Sequence, residues 1–185
     1  NEDLIDIMQL VDQEQWAGYH ICDLELAMKV SPENCFVIRD SRVVASCFSL
    51  VSNGIGYISY LIVDKAYRLG KYGMLLGGYC LKETIRKTET VIIYANQKLV
   101  QHYTRYGFKP LYEVKRFELS IEQYNPDKEL PHVKWKRDNY DQAKLLMNSV
   151  YPRPRDPIYE ELLRMDNYSF YASLDTDGDA NALIG

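Results

Sequence analysis

The sequence predicts an α/β (α+β) fold: a mixed, mostly antiparallel central sheet flanked by helices, followed by the start of a second, similar unit. Three observations carry this. Apolar runs broken by the turn pairs Asp40-Ser41 and Asn53-Gly54 mark antiparallel strands. An apolar run from Ile58 to Val63, a basic, glycine-punctuated loop from Tyr67 to Gly73 and a second apolar run from Met74 to Ile85 mark a strand–loop–helix crossover. The opening pattern then returns in the tail at an offset of roughly 134 residues, about one domain length.

Composition narrows the class. At 185 residues the chain holds one full domain and part of another. Hydrophobic residues at 46% and charged residues at 26% describe a soluble globular protein with a sizeable core. A net charge of −4, from 22 basic and 26 acidic residues, argues against a broad nucleic-acid footprint. Lys65, Arg68 and Lys71 gather instead beside the loop, where a small anion would need them. No apolar run reaches the ~18 residues of a membrane helix and no signal-peptide pattern opens the chain, so a cytoplasmic (intracellular, nuclear included) protein with no membrane partner is expected. The four cysteines lack C-x-x-C spacing and the three histidines lack ligand spacing, so reduced thiols and no metal site are expected. A start at Asn1 without Met and a stop at Gly185 read as cuts through a longer protein.

Taken in order, Asp3 to Trp16 is an amphipathic helix, with Leu4, Ile7, Met8 and Val11 as its stripe and Asp3 as its cap. Asp23 to Val30 is a shorter helix stopped near Ser31-Pro32. Cys35 to Arg39 and Val43 to Val51 are strands, and Asn53-Gly54 suits a type I′ turn into a strand from Gly56 to Val63. Alternation puts Tyr57, Ser59, Leu61 and Val63 on one face of that strand. Beyond the loop, Met74, Gly78, Leu81 and Ile85 line one side of a helix ending near Arg86-Lys87. Gly77-Gly78 inside it costs on the order of 1 kcal/mol per glycine, which close approach of a sheet or ligand would justify. Thr90 to Ala95 is a buried strand, Asn96 caps a helix through Tyr106 that Gly107 ends, and Val114 to Leu119 alternates as a strand.

Residues 123–131, with two prolines and mixed charge, read as a linker. His132 to Lys136 is a short strand, Tyr140 to Val150 and Ile158 to Met165 are helices, and Ser169 to Leu174 and Ala182 to Ile184 are strands about a polar turn. Helix, loop, helix, Phe170-centred strand, turn and strand repeat the opening around Phe36, as a tandem duplication would.

The loop itself is a phosphate cradle in outline, because backbone N–H groups converge on a helix N-terminus whose first donors lack partners and whose dipole end is positive. It is not a P-loop, since Met74-Leu75 follows Gly73, and it lacks the dinucleotide G-x-G-x-x-G. The alternative is an ordinary strand-to-helix turn with glycines for geometry alone.

Loop and following helix together resemble the GNAT family of acyl-CoA-dependent N-acyltransferases. Val63, Arg68 and Gly73 match the signature [RQ]-x-x-G-x-[GA] after a strand, with Lys71 at the first glycine and Gly70 one place early. Asn96-Gln-Lys-Leu-Val-Gln-His-Tyr103-Thr-Arg-Tyr-Gly107-Phe108 matches the family's second hallmark. Lysine has poor access to positive φ, so the loop is expected to take another shape there while gaining a cation. The resemblance divides the chain into a GNAT-like acyl-CoA-binding domain at residues 1–122, the linker, and an incomplete second unit at 132–185.

The resemblance implies acetyl-CoA as cofactor, with its diphosphate on Arg68, Leu69, Gly70, Lys71, Tyr72 and Gly73. Leu61 and Val63 would pair with the pantetheine arm, and a backbone N–H near Leu61 or Ile62 would face the thioester oxygen. Asn96 would contact the cofactor arm and Tyr103 would protonate the leaving thiolate. It implies transfer of an acetyl (acyl) group to a primary amine of a small molecule or peptide. The strand before the loop carries no acid, and Asp64 lies past its end. A water chain, an acid from elsewhere such as Glu25, or a non-catalytic acyl-CoA-binding role are the options this leaves, and open sheet edges allow a homodimer.

Overall fold

A computed structural model describes residues 2–16, 19–115, 133–134, 144–146, 148–149, 156–162, 164–165, 171–174 and 180–184. Helix α1 (Glu2–Gln13) buries Leu4, Ile7, Leu10 and Val11. It starts before Asp3, which is therefore not its cap and instead pairs with Arg39 on the first strand. Helix α2 (Ile21–Val30) begins earlier than its apolar pattern suggests, because His20 and Asp23 close a capping box at its N-terminus.

Strands β1 (Cys35–Asp40), β2 (Arg42–Ser52) and β3 (Ile55–Val63) follow as antiparallel neighbours, and β4 (Thr90–Ile93) adds parallel to β3, giving the order β1-β2-β3-β4. Asn53 (φ 47°) and Gly54 (φ 78°) take the positive angles that a type I′ hairpin requires. Helices α1 and α2 pack on one face of the sheet, around Val43, Phe48, Tyr60 and Ile62. Helix α3 (Tyr72–Ile85) packs on the other, around Ala45 and Cys47.

One expectation about facing is overturned, and α3 buries a different side from the stripe of Met74, Gly78 and Ile85. In β3, Ser46 pairs with Ile62 and Phe48 with Ser59, so Cys47 alone faces both Tyr60 and Leu61. This is a bulge, and Tyr60 sits in it at φ 52°. The extra residue breaks the alternation: Leu61 and Val63 share the α3 side with Ile58, while Tyr60 and Ile62 face α1 and α2. In α3 the buried residues are Leu76, Cys80 and Thr84, whereas Met74, Gly78 and Ile85 are exposed. The helix turns its small residues inward. A Cβ on Gly77 would stand 3.0 Å from Leu61 Cδ2, so close packing explains that glycine, while Gly78 has nothing within 4 Å.

Strand β4 is shorter and less buried than Thr90–Ala95 was expected to be, because its pairing with β3 ends at Ile93. Residues 114–115 lie in no strand, and 116–119 fall outside the described residues, as does the linker at 123–131. In the tail, β5 (Val133–Lys134), β6 (Tyr171–Leu174) and β7 (Ala180–Ile184) form an antiparallel sheet. Residues 144–146 and 148–149 are helical, and helix α5 (Asp156–Leu162) lies against α2.

Candidate active site

The loop after β3 is anchored at both ends. Asp64 is 4% exposed, its Oδ1 accepts from the Ala66 amide at 2.8 Å, and its Oδ2 pairs with Arg42. The Ala66 N–H, with the Arg42 guanidinium assisting, holds its carboxyl below the usual carboxylate range against the cost of burial. Asp64 is thus an N-cap and ion-pair partner. Lys65 to Gly70 form a 3₁₀ segment, where Arg68 folds back, its Nε donating to the Val63 carbonyl at 3.1 Å and its guanidinium pairing with Glu14. Lys65 Nζ donates to the Gln13 carbonyl at 2.6 Å. Two of the three cations expected to await an anion therefore tie the loop to the end of α1, and exposed Lys71 is the third.

Lys71 itself adopts the left-handed region (φ 61°, ψ 4°), against the expectation that lysine would exclude that shape. Its carbonyl accepts the first bond of α3, from the Leu75 amide at 3.0 Å. The turn that the signature's glycine would make freely is made here by a residue bearing about 1 kcal/mol of backbone cost. Leu69 is fully exposed beside it, and Tyr72 turns its ring inward against Val63 and its neighbours. A Cβ on Gly70 would stand 2.6 Å from the Tyr72 ring, and one on Gly73 3.3 Å from Val63 Cγ2. Both glycines keep the backbone thin where α3 starts, and the first amides of that helix have no intrahelical acceptor.

Beside the loop the sheet opens. Parallel pairing of β3 with β4 runs from Ile55 opposite Thr90 to Ile58 opposite Ile93 and ends there, while β3 continues through Val63. From Ser59 to Val63, one main-chain edge has no strand beside it among the described residues. This edge carries Leu61, Ile62 and Val63 and leads from the bulge into the loop. Leu61 is half-buried against Gly77, Ile62 is buried on the α1/α2 side, and Val63 lies on the α3 side.

Past β4, Asn96 Oδ1 accepts from the Lys98 amide at 3.0 Å and so caps a short 3₁₀ turn, Gln97–Leu99, rather than one long helix. Helix α4 (Val100–Thr104) follows and is shorter than expected. Gly107 (φ 90°) ends it, with the Phe108 amide reaching back to the Tyr103 carbonyl at 3.3 Å. That closure sets the Tyr103 ring edge-on to Phe108, centroids 6.0 Å apart. Burial, and in lesser part the Cys47 thiol, raises the Tyr103 hydroxyl above the usual phenol value. Cys47 belongs to the core under α3, so Tyr103 lies on that side of the sheet.

On the opposite side stands a group that sequence reasoning missed. The Tyr60 hydroxyl lies 3.3 Å from both the His20 carbonyl and Asp23 Oδ2, which also accepts from the His20 amide at 3.0 Å. The Tyr60 ring meets Tyr19 edge-on at 5.2 Å, and Tyr19 meets Trp16 at 5.1 Å. Burial first, then the Asp23 charge, pushes the Tyr60 hydroxyl upward. Trp16, Tyr19, His20 and Tyr60 thus gather on the α1/α2 side of the sheet, and Asp23 brings a carboxylate to β3 there. Glu25, the acid expected from elsewhere in the chain, also lies on α2, two residues beyond Asp23. The signal available in the sequence was the His20–Asp23 spacing of a capping box.

Among the described residues no cluster of three or more His, Cys, Asp or Glu could hold a metal ion, and no helix is long and apolar enough to cross a membrane. Cys47 and Cys80 are buried thiols.

Comparison with known proteins agrees with this geometry. No curated protein sequence matches the chain. A structure from Pyrococcus horikoshii assigned as an acetyltransferase superposes with a TM-score of 0.69 at 18% identity, over 91% of this chain and 60% of its own. The chain thus spans 60% of the length of that relative. A GNAT-family structure from Xanthomonas campestris pv. campestris, also assigned as an acetyltransferase, gives 0.52 at 19% identity, over 66% of this chain and 90% of its own. At these identities the likeness is one of fold. The family model for an acetyltransferase (GNAT) domain matches residues 10–122, more than half of the chain and all of the loop, open edge and α4. The chain belongs to the GNAT acetyltransferase family, enzymes whose acyl donor is acetyl-CoA.

Proposed function

We propose that the chain transfers an acetyl group from acetyl-CoA to a primary amine by direct transfer, in the slot where β3 leaves β4. The observation that carries this is the edge of β3 beyond Ile58, which no strand among the described residues pairs, with Tyr103 on one side of the sheet and Tyr60 on the other. Acetyl-CoA, when bound, supplies an acetyl group activated as a thioester. The residues suit that donor. Leu61 and Val63 offer main-chain groups to an amide-bearing arm, as a sheet edge does to an added strand. The backbone from Arg68 to Gly73 offers amides to a diphosphate, and the tight space at Gly70 and Gly73 keeps that approach clear. Lys71 adds a cation, and Asn96, with its Oδ1 engaged, still has its Nδ2 donors.

Tyr103 holds its proton at neutral pH and can donate it from Oη to a leaving thiolate. The acceptor enters from the α1/α2 side, where Asp23 and the His20 carbonyl surround the Tyr60 hydroxyl. Asp64 is committed to Ala66 and Arg42, so the proton of the incoming ammonium leaves by water or toward Asp23. Residues 1–122 form the acyl-CoA-binding unit in this reading, and 132–185 open a second one.

Calorimetry with acetyl-CoA and with CoA, and thiol release in the presence of primary amines, test the assignment. Binding of both cofactor forms and amine-dependent thiol release are expected. Absence of binding at millimolar cofactor would remove the donor site.

A further inference from the structure

Helices α2 and α5 are counterparts. Each precedes an antiparallel hairpin, α2 before β1–β2 and α5 before β6–β7, and they stand at the roughly 134-residue offset of the internal repeat. These two counterparts pack on each other. Ile158 and Met165 are buried against Leu26, with Cys22, Val30 and Leu162 around them. Glu161 meets Lys29 at 3.0 Å. Pairing of like with like is the contact that a duplicated unit inherits from a two-fold dimer.

The other side of α2 is engaged with the first unit. Leu24 and Ala27 lie in the core that contains Tyr60, and the N-terminus presents the His20 carbonyl and Asp23 to the Tyr60 hydroxyl. Helix α2 has 10 residues. A helix this short is marginal on its own in water, so its position is set by what packs on it. Cys22, in the α5 contact, is adjacent to Asp23 in the chain.

We propose that α5 is a positioning element for the acceptor side of the first unit: seated on the outer face of α2, it holds Asp23 and the His20 carbonyl against Tyr60 and so sets the affinity for the amine. This rests on the acceptor entry proposed above. Displacements of about 1 Å in groups that orient a reactant are costly, so loosening α2 raises KM for the amine and leaves the donor loop untouched.

The test uses the full chain. Thiol release is followed with tyramine, spermidine and a lysine-containing peptide, and the best of these serves as the probe amine. Ile158→Asp places a charge in the α2–α5 contact; it is expected to raise the KM of the probe amine about tenfold while the acetyl-CoA Kd stays within about twofold. Faster amide hydrogen exchange in residues 21–30 accompanies it. Glu161→Lys, a partly exposed change, raises the same KM about two- to threefold, and Lys29→Glu combined with Glu161→Lys restores it. An unchanged amine KM in folded Ile158→Asp overturns the proposal, as does an equal loss of acetyl-CoA affinity. Should Ile158→Asp not fold, an unchanged KM in Glu161→Lys, or no recovery in the charge swap, overturns it. Failure of the functional reading has a different signature, namely wild-type protein that binds acetyl-CoA and releases no thiol with any amine.

Discussion

On its α3 side, β3 meets glycines: Gly73 stands against Val63 and Gly77 against Leu61, and the helix comes close enough that main chain is what it offers a ligand. On its α1/α2 side the same strand meets rings and a carboxylate, with Tyr60 held among Tyr19, Phe48, the His20 carbonyl and Asp23. In the proposed function the first surface would recognise by backbone and by absence of side chain, which suits a donor that is the same for a whole family. The second would recognise by side-chain chemistry, which suits an acceptor particular to one protein. Donor and acceptor sides therefore answer to different kinds of mutation.

The contrast can be broken at four places. Tyr103→Phe removes the proton offered from the α3 side, and kcat is expected to fall about 100-fold or more with the acetyl-CoA Kd unchanged. Because burial raises the Tyr103 pKa, its acid form persists upward in pH, so the alkaline limb of kcat lies above the ordinary phenol value of about 10 and vanishes in the variant. A limb at lower pH in the wild type would assign the proton to another group. Gly73→Val crowds Val63 and fills the space before the loop amides; a loss of about 2–3 kcal/mol, or about 100-fold in acetyl-CoA affinity by calorimetry, is expected. Normal affinity would detach the loop from the donor.

Lys71→Gly relieves the left-handed backbone and is expected to stabilise the protein by about 1 kcal/mol in denaturant unfolding. Lys71→Ala brings no such relief, and both variants bind acetyl-CoA several-fold more weakly for want of the cation. Equal stability of the two variants would show that the strain is not at this residue. The smallest effect separates adjacent glycines. Gly78→Ala, with open space around it, gains somewhat under 1 kcal/mol of helix stability, and Gly77→Ala falls short of that gain because its Cβ meets Leu61. Equal gains would mean that α3 does not press on β3.

Much of the donor side was legible because it is written in residues with special backbone roles. Asn53-Gly54 marked the hairpin, Gly70 and Gly73 the helix start, and Gly107 the stop that places Tyr103. The bulge was not legible. Tyr60 holds φ 52° without being glycine or asparagine, so no residue type announces the extra position, and plain alternation places Leu61 and Val63 on one face with Tyr57 and Ser59, from which the bulge parts them. The inward face of α3 was hard to read because apolar residues surround most of its first two turns. Its packing joins one large residue, Leu76, to the small residues Gly73, Gly77, Cys80 and Thr84, which a search for large apolar residues passes over. Asp23 stayed hidden for a further reason. Its neighbour Tyr60 lies far along the chain, and only the fold brings them together.

The bulge also separates two kinds of information in β3. Between Ser59 and Ile62 the strand carries one residue more than β2 opposes. Without Tyr60 the ladder would run unbroken, with Leu61, Ile62 and Val63 keeping the partners and faces they have now. Tyr60 is thus an insert in the reading frame of the pleat. In the proposed function, a residue on the acceptor side that is written as an insert can be removed without re-registering the residues that would serve the donor.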